Sequence, residues 1–116
     1  MKITGLASVE QVAVTMEGAR DVRKGIPIGA ADGTPNLSVR VFTIDPGGHT
    51  PYHRHPFEHV NYAIRGTGAI VTETGEERPF VAGDFALVLP DEKHRYRNTS
   101  DSEPFVMICA VPKEYE

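Results

Sequence analysis

The chain has 116 residues, a formal net charge of −4 and 24% charged residues, with acidic and basic side chains interleaved. That balance excludes nucleic acid and a membrane surface as partners, because no basic stripe or basic amphipathic face is present. Cys109 is the single cysteine, which excludes an internal disulfide and a thiolate zinc site.

The length fits one domain spanning residues 1–116. Its opening stretch, MKITGLASVEQVAVTMEG, lacks the uninterrupted apolar core of a signal peptide, and no membrane-length apolar run follows. A cytoplasmic protein is expected. Residues 1–25 read as an N-terminal arm or strand, within which SVEQVAVTM is a helical turn, an arm or a strand. Eleven glycines and nine prolines then cut the chain into short runs rich in Val, Ile, Phe, Tyr and Thr. Strands are predicted over 19–28, 36–45, 49–55, 58–65, 67–73, 77–82, 84–89, 93–98 and 103–111. The turn signals between them include DGTPN, DPGG, HPFE, RGTG, ETGEE, AGD and NTSDSE. Strands this short and this regular predict an all-β sandwich or barrel.

Three of the five histidines, His53, His55 and His59, fall in the stretch PYHRHPFEHV. Side chains two apart on a strand share a face, with Cα atoms about 6.6 Å apart. His53 and His55 are therefore expected to project together, and Pro56 to end their strand. His59 opens the next strand, beside the first pair in a predicted antiparallel hairpin. His94, after the turn-like LPDEK, is a fourth imidazole from a distant strand that would close a cage around one metal ion. Imidazole suits Zn, Cu, Fe, Ni and also Mn, so the spacing does not select the metal.

The segment resembles the first motif of the cupin superfamily, G-x5-H-x-H-x3,4-E-x6-G. Gly47, His53, His55 and Gly66 match it, and His59 stands where glutamate is usual. The second motif, G-x5-P-x-G-x2-H-x3-N, is similar to the run through Gly83, His94 and Asn98, with Leu89 at its proline position and Asp91 at its second glycine. The two motifs span 47–98. The stretches VRVFTIDPGG, HPFEH, RNTSDSE and VPKE resemble the small cupins whose manganese is held by four histidines. The resemblance implies a jelly-roll barrel, or double-stranded β-helix, holding one divalent ion per chain on His53, His55, His59 and His94. Manganese is the implied ion, with Fe, Ni, Zn and Cu as alternatives. Four neutral ligands leave the ion its full charge, which favours an anionic ligand in the open positions.

Strand alternation puts Asn61 and Ala63 on the face of His59, and Tyr96 and Asn98 on that of His94. Asn61 and Tyr96 are the candidate catalytic residues, as hydrogen-bond partners for substrate or bound oxygen; their alternative reading is structural. Glu58 faces away from His59. Cys109 shares a face with Phe105 and Met107 and reads as a core cysteine, near the metal if that face is inward. His49 reads as exposed or at the pocket rim. Arg40 and Arg65 read as solvated or paired, with a substrate carboxylate as the alternative.

The expected function is that of a metal-binding cupin, a dioxygenase-type oxygenase acting on a small organic molecule. The alternatives are a non-redox isomerase or lyase of a sugar or uronate, with the ion as Lewis acid, and a small-molecule-binding protein without turnover. Val60, Tyr62 and Ile64 point away from the metal face, and with the N-terminal arm they predict a homodimer.

Overall fold

A computed structural model describes residues 1–116. Nine strands carry the fold. After a 3₁₀ turn at Leu6–Ser8 come β1 (Val12–Ala13) and β2 (Arg20–Ile28), then a second 3₁₀ turn at Ala30–Asp32. The barrel proper follows as β3 (Leu37–His49), β4 (His59–Arg65), β5 (Thr67–Val71), β6 (Glu77–Val81), β7 (Phe85–Val88), β8 (Arg95–Asn98) and β9 (Phe105–Pro112), closed by a 3₁₀ turn at Lys113–Tyr115. All pairings are antiparallel, in the order β6-β5-β8-β3-β9-β4-β7, with β2 added to β3 and β1 to β2. The sheet curls into a nearly closed jelly-roll barrel, the all-β fold expected. No helix is long and apolar enough to cross a membrane.

β3 organises the barrel. Along Leu37–Ile44 it pairs with β9, and at His49 it pairs with Arg97 of β8. The change of partner runs through DPGG, where Gly47 sits at φ 79°. A Cβ on Gly48 would lie 2.7 Å from the Arg20 carbonyl, so only glycine fits there. The predicted break between strands 36–45 and 49–55 is thus misplaced. One strand continues to His49, and residues 50–55 form no strand; Thr50 exchanges hydrogen bonds with Tyr96 of β8, and an isolated bridge pairs His53 with His94. Pro51 interrupts this run, since it has no N–H for a ladder. Both edges of β4 are already taken, by β7 and β9, so the predicted histidine hairpin does not exist either. SVEQVAVTM is an arm carrying the two-residue β1, with the 3₁₀ turn before it.

Alternation along β4 is as expected. His59, Asn61 and Ala63 are buried, while Val60 is exposed and Tyr62 and Ile64 are half-buried. The barrel's lower interior holds the core, in which Ile44, Ala63, Phe80, Phe105 and Met107 pack with Val22 and Val88. Asn98 is a clasp for the loop before β9. Its amide donates to the carbonyls of Ile44 (2.9 Å) and Glu103 (2.7 Å), and its Oδ1 accepts from the Ser100 N–H at 2.7 Å.

Candidate metal centre

Four histidines gather above the core, placed there by three local devices. The bridge between His53 and His94, N–H to carbonyl in both directions at 3.1 and 2.9 Å, brings two distant loops together. The Asp91 N–H donates to the His55 carbonyl at 2.8 Å, tying the next loop to the same turn. Asp91 takes φ 66° at the position where the motif has glycine; Asp is among the few residues that enter this left-handed region at modest cost. His59 comes from the first residue of β4.

One ring nitrogen from each of His53, His55 and His94 lies within 4.8 Å of the others, a mutually close set that does not include His59. The Nε2 of His59 is 3.2 Å from the Nε2 of His94, and its ring centroid lies 5.0 Å from that of His55. The tautomers follow from the opposite ring nitrogens. Nδ1–H of His55 donates to the Phe57 carbonyl (2.8 Å), that of His94 to the Glu92 carbonyl (2.8 Å), and that of His59 to Asn61 Oδ1 (2.6 Å). A neutral imidazole with its proton on Nδ1 has a bare lone pair on Nε2. The contact between His59 and His94 is therefore two acceptors face to face, not a hydrogen bond. Two nitrogens about 2.0–2.1 Å from one ion stand about 2.9 Å apart at right angles and about 3.4 Å apart in a tetrahedron. The observed 3.2 Å falls between these. The residues fit a divalent ion, and the Nδ1 partners are the outer-shell oxygens that metal-binding histidines use.

All four rings are held neutral. Burial is the main cause throughout, and it lowers His53 to about 4 and, against the opposing pull of the hydrogen bond to Asn61, His59 to about 3, with smaller contributions from neighbouring histidines and Arg40. His55 and His94 are lowered as well, again by burial first, against the pull of their backbone hydrogen bonds. Loss of the proton is what metal ligation requires.

The histidines form one wall of a cavity of about 320 Å³. Met107, Cys109 and Phe42 line it from the sheet, Val14 and Met16 from the arm, Phe57 from the middle of the chain and Tyr115 from its end. The last two form a column with His55: Tyr115 stacks on Phe57 at 4.0 Å, and Phe57 on His55 at 3.9 Å. Phe105 shares the face of Met107 and Cys109, and Ala63 that of His59, yet both lie in the core and not along the cavity.

Asn61 and Tyr96 both border the cavity, yet their polar atoms are engaged with each other. The Tyr96 hydroxyl donates to Asn61 Oδ1 at 2.8 Å, the same oxygen that receives His59 Nδ1–H. Burial raises the Tyr96 phenol far above its ordinary value, so it remains a donor. Glu58 takes no part in the cavity wall. His49 is half-buried at the end of β3, with Nδ1 3.2 Å from the Thr50 carbonyl, and lies outside the cavity. Arg65 is exposed and paired with Glu103 at 3.1 Å. Lys24, Glu116, Phe57 and Tyr115 are cavity residues without a prior signal. For Phe57 and Tyr115 none existed, because the stack joins the middle of the chain to its end.

The comparisons with known proteins agree with this architecture. The cupin domain family model matches residues 40–111. The polyketide cyclase RemF of Streptomyces resistomycificus superposes with a TM-score of 0.90 at 23% identity, over 97% of this chain and 79% of that one. A predicted oxalate decarboxylase of Thermotoga maritima gives 0.80 at 18% identity, over 97% and 99%. KdgF of a Halomonas species gives 0.76 at 18% identity, over 97% and 94%. No curated protein matches the chain. With 72 consecutive residues under one family description (40–111) and a histidine cluster able to hold an ion, the chain belongs to the cupin domain family.

Proposed function

We propose that this cupin is a metal-dependent oxygenase acting on a small organic molecule with an apolar body, with manganese held by His53, His55, His59 and His94. The observation that carries the reading is the set of bare Nε2 atoms converging on one wall of a cavity whose other walls are mainly apolar. When bound, a redox-active divalent ion supplies Lewis acidity and one-electron chemistry with dioxygen.

The chain's own residues supply the rest. Asn61 and Tyr96 hold the His59 ring in one tautomer and one orientation, acting as positioning residues. The Phe57–Tyr115 column fixes the plane of His55 and shields that side of the pocket from water. Met107, Phe42 and Val14 offer dispersion contact to a flat aromatic or alkenyl substrate. A polyhydroxylated sugar finds few free polar partners here, since Asn61 and Tyr96 are already satisfied.

A second reading is non-redox chemistry with the ion as Lewis acid. It is favoured by the similarity to RemF, a polyketide cyclase, over nearly the whole chain. Elemental analysis of protein purified without chelator or added metal, followed by oxygen-uptake assays with aromatic and alkenyl substrates, separates the two. Manganese or iron with metal-dependent oxygen consumption supports the oxygenase. Zinc alone, with turnover but no oxygen uptake, replaces it with the second reading.

A further inference from the structure

Arg40 is the anomaly of the pocket. It projects from β3 on the face of Phe42, its guanidinium carbon 5.0 Å from the centre of that ring, and it lines the cavity with the histidines. It takes part in no ion pair. Its Nη2 donates to the Cys109 sulfur at 3.1 Å and its Nη1 reaches the Tyr115 carbonyl at 3.4 Å. Its Nε is buried without any hydrogen-bond partner.

The surroundings do not neutralise it. Burial is the main influence on the Cys109 thiol and raises it, more than Arg40 lowers it, so the sulfur stays uncharged at neutral pH. Lys24 adds a second cation to the same wall. Glu116 is the single carboxylate there, and it is engaged by the Ser38 hydroxyl and the Ala30 N–H. Four neutral histidines contribute no negative charge. A half-buried guanidinium whose buried Nε has no acceptor and which touches no carboxylate carries a cost that a pairing anion would relieve. Its planar fork matches a carboxylate in two parallel hydrogen bonds.

We infer that Arg40 is a specificity residue that binds the carboxylate of a small aromatic or alkenyl acid, orienting the apolar body of that acid along Phe42 and Met107 toward the histidines. Lys24 adds longer-range attraction. The inference rests on reading this cavity as the substrate site, and it names the substrate class: unsaturated monocarboxylates rather than their neutral relatives.

The test is calorimetric titration of the metal-loaded protein with benzoate and with benzamide, which differ in charge but hardly in shape. Benzoate is expected to bind more tightly by about tenfold or more, the range for hydrogen bonds to a charged group. Arg40→Gln should remove that preference, while Arg40→Lys, one point charge instead of a fork, should keep part of it. Both variants should retain the wild-type melting transition and metal content, which shows that the pocket is intact. The same titrations on metal-free protein assign the anion to its partner. A preference that persists without metal and vanishes in Arg40→Gln supports the inference. A preference that survives Arg40→Gln and disappears with the metal places the carboxylate on the ion and overturns it, as does equal binding of the two probes. Because the readout is binding, failure of the oxygenase reading shows separately, as absent oxygen uptake.

Discussion

The Nε2 atoms of His59 and His94 face each other across 3.2 Å with a lone pair on each. Two such acceptors repel unless a cation lies between them. The arrangement persists because Asn61 and the Glu92 carbonyl hold the opposite ring nitrogens.

This pairing predicts the outcome of ligand deletion. His59→Ala and His94→Ala should each lose most of the bound ion, whereas Glu58→Ala should leave stoichiometry unchanged, since Glu58 lies outside the cavity. Elemental analysis of the three variants, purified alike, checks this. Full metal occupancy in His59→Ala, or its loss in Glu58→Ala, would sink the ligand assignment.

One shell further out, Asn61→Leu should weaken metal affinity by about 10- to 100-fold, the usual effect of removing an outer-shell partner. The same change leaves the buried Tyr96 hydroxyl without its acceptor, so stability should fall by about 1–3 kcal/mol. Tyr96→Phe removes only one of two hydrogen bonds to Asn61 Oδ1 and should cost about 1 kcal/mol, with metal affinity nearly intact. Competition against a chelator, paired with urea unfolding, distinguishes the two variants. Equal metal affinity in Asn61→Leu and wild type would show that His59 needs no orienting partner.

Much of this site was legible because it obeys strand alternation. His59, Asn61 and Ala63 are buried in turn on β4, as period two requires. His53 and His55 were brought together for a different reason from the one their spacing suggested. They sit on an irregular loop, and the long-range bridge to His94 places them, not a strand. Pairing of that kind depends on which edges the rest of the sheet leaves free, and local patterns carry no record of it. Asp91 shows the same limit, since an aspartate at a motif glycine reads as a defect until its φ of 66° is seen. Arg40 had a visible cue in its shared parity with Phe42, but its unpaired, buried Nε exists only in three dimensions.

Acid should destabilise the metal-free protein in a defined window. Unfolded histidines take up protons near about 6.5, whereas folded His53 resists to about 4 and His59 to about 3, mainly through burial. Between these limits the unfolded chain binds more protons, so stability rises with pH there. The contribution is complete above the unfolded value and is lost as pH falls toward the folded ones. Bound metal should leave in the same direction, because protons compete for the same lone pairs. Melting temperatures of chelator-treated protein, measured from neutral pH down to about 4, should fall steadily, and less steeply in His53→Asn. A flat or rising profile would contradict the neutral, buried state of these rings.

The last prediction concerns assembly: a homodimer is expected. The N-terminal arm exposes Ile3, Leu6, Val12 and Met16, at 89, 49, 60 and 56% of their full surface. Its own strand, β1, pairs with β2 over only two residues, Val12 and Ala13. On the other side, β7 ends the sheet with Phe85 and Leu87 exposed at 74 and 59%, beside exposed Val60 on β4. An unpaired apolar edge is a template for another strand, and chains that stay monomeric usually guard it with charge or proline. β7 reads FALV and carries neither. An arm rich in apolar side chains and an unguarded apolar edge on one molecule complement each other across a two-fold axis. Sedimentation at micromolar concentration should therefore give a mass near twice 12.7 kDa. Joint replacement Leu6→Asp and Val12→Asp should shift it to the monomer, leaving the metal site in place because neither residue lines the cavity. Phe85→Asp should do the same from the other side. A wild-type monomer near 12.7 kDa refutes the dimer. A dimer that ignores both changes moves the interface to another face.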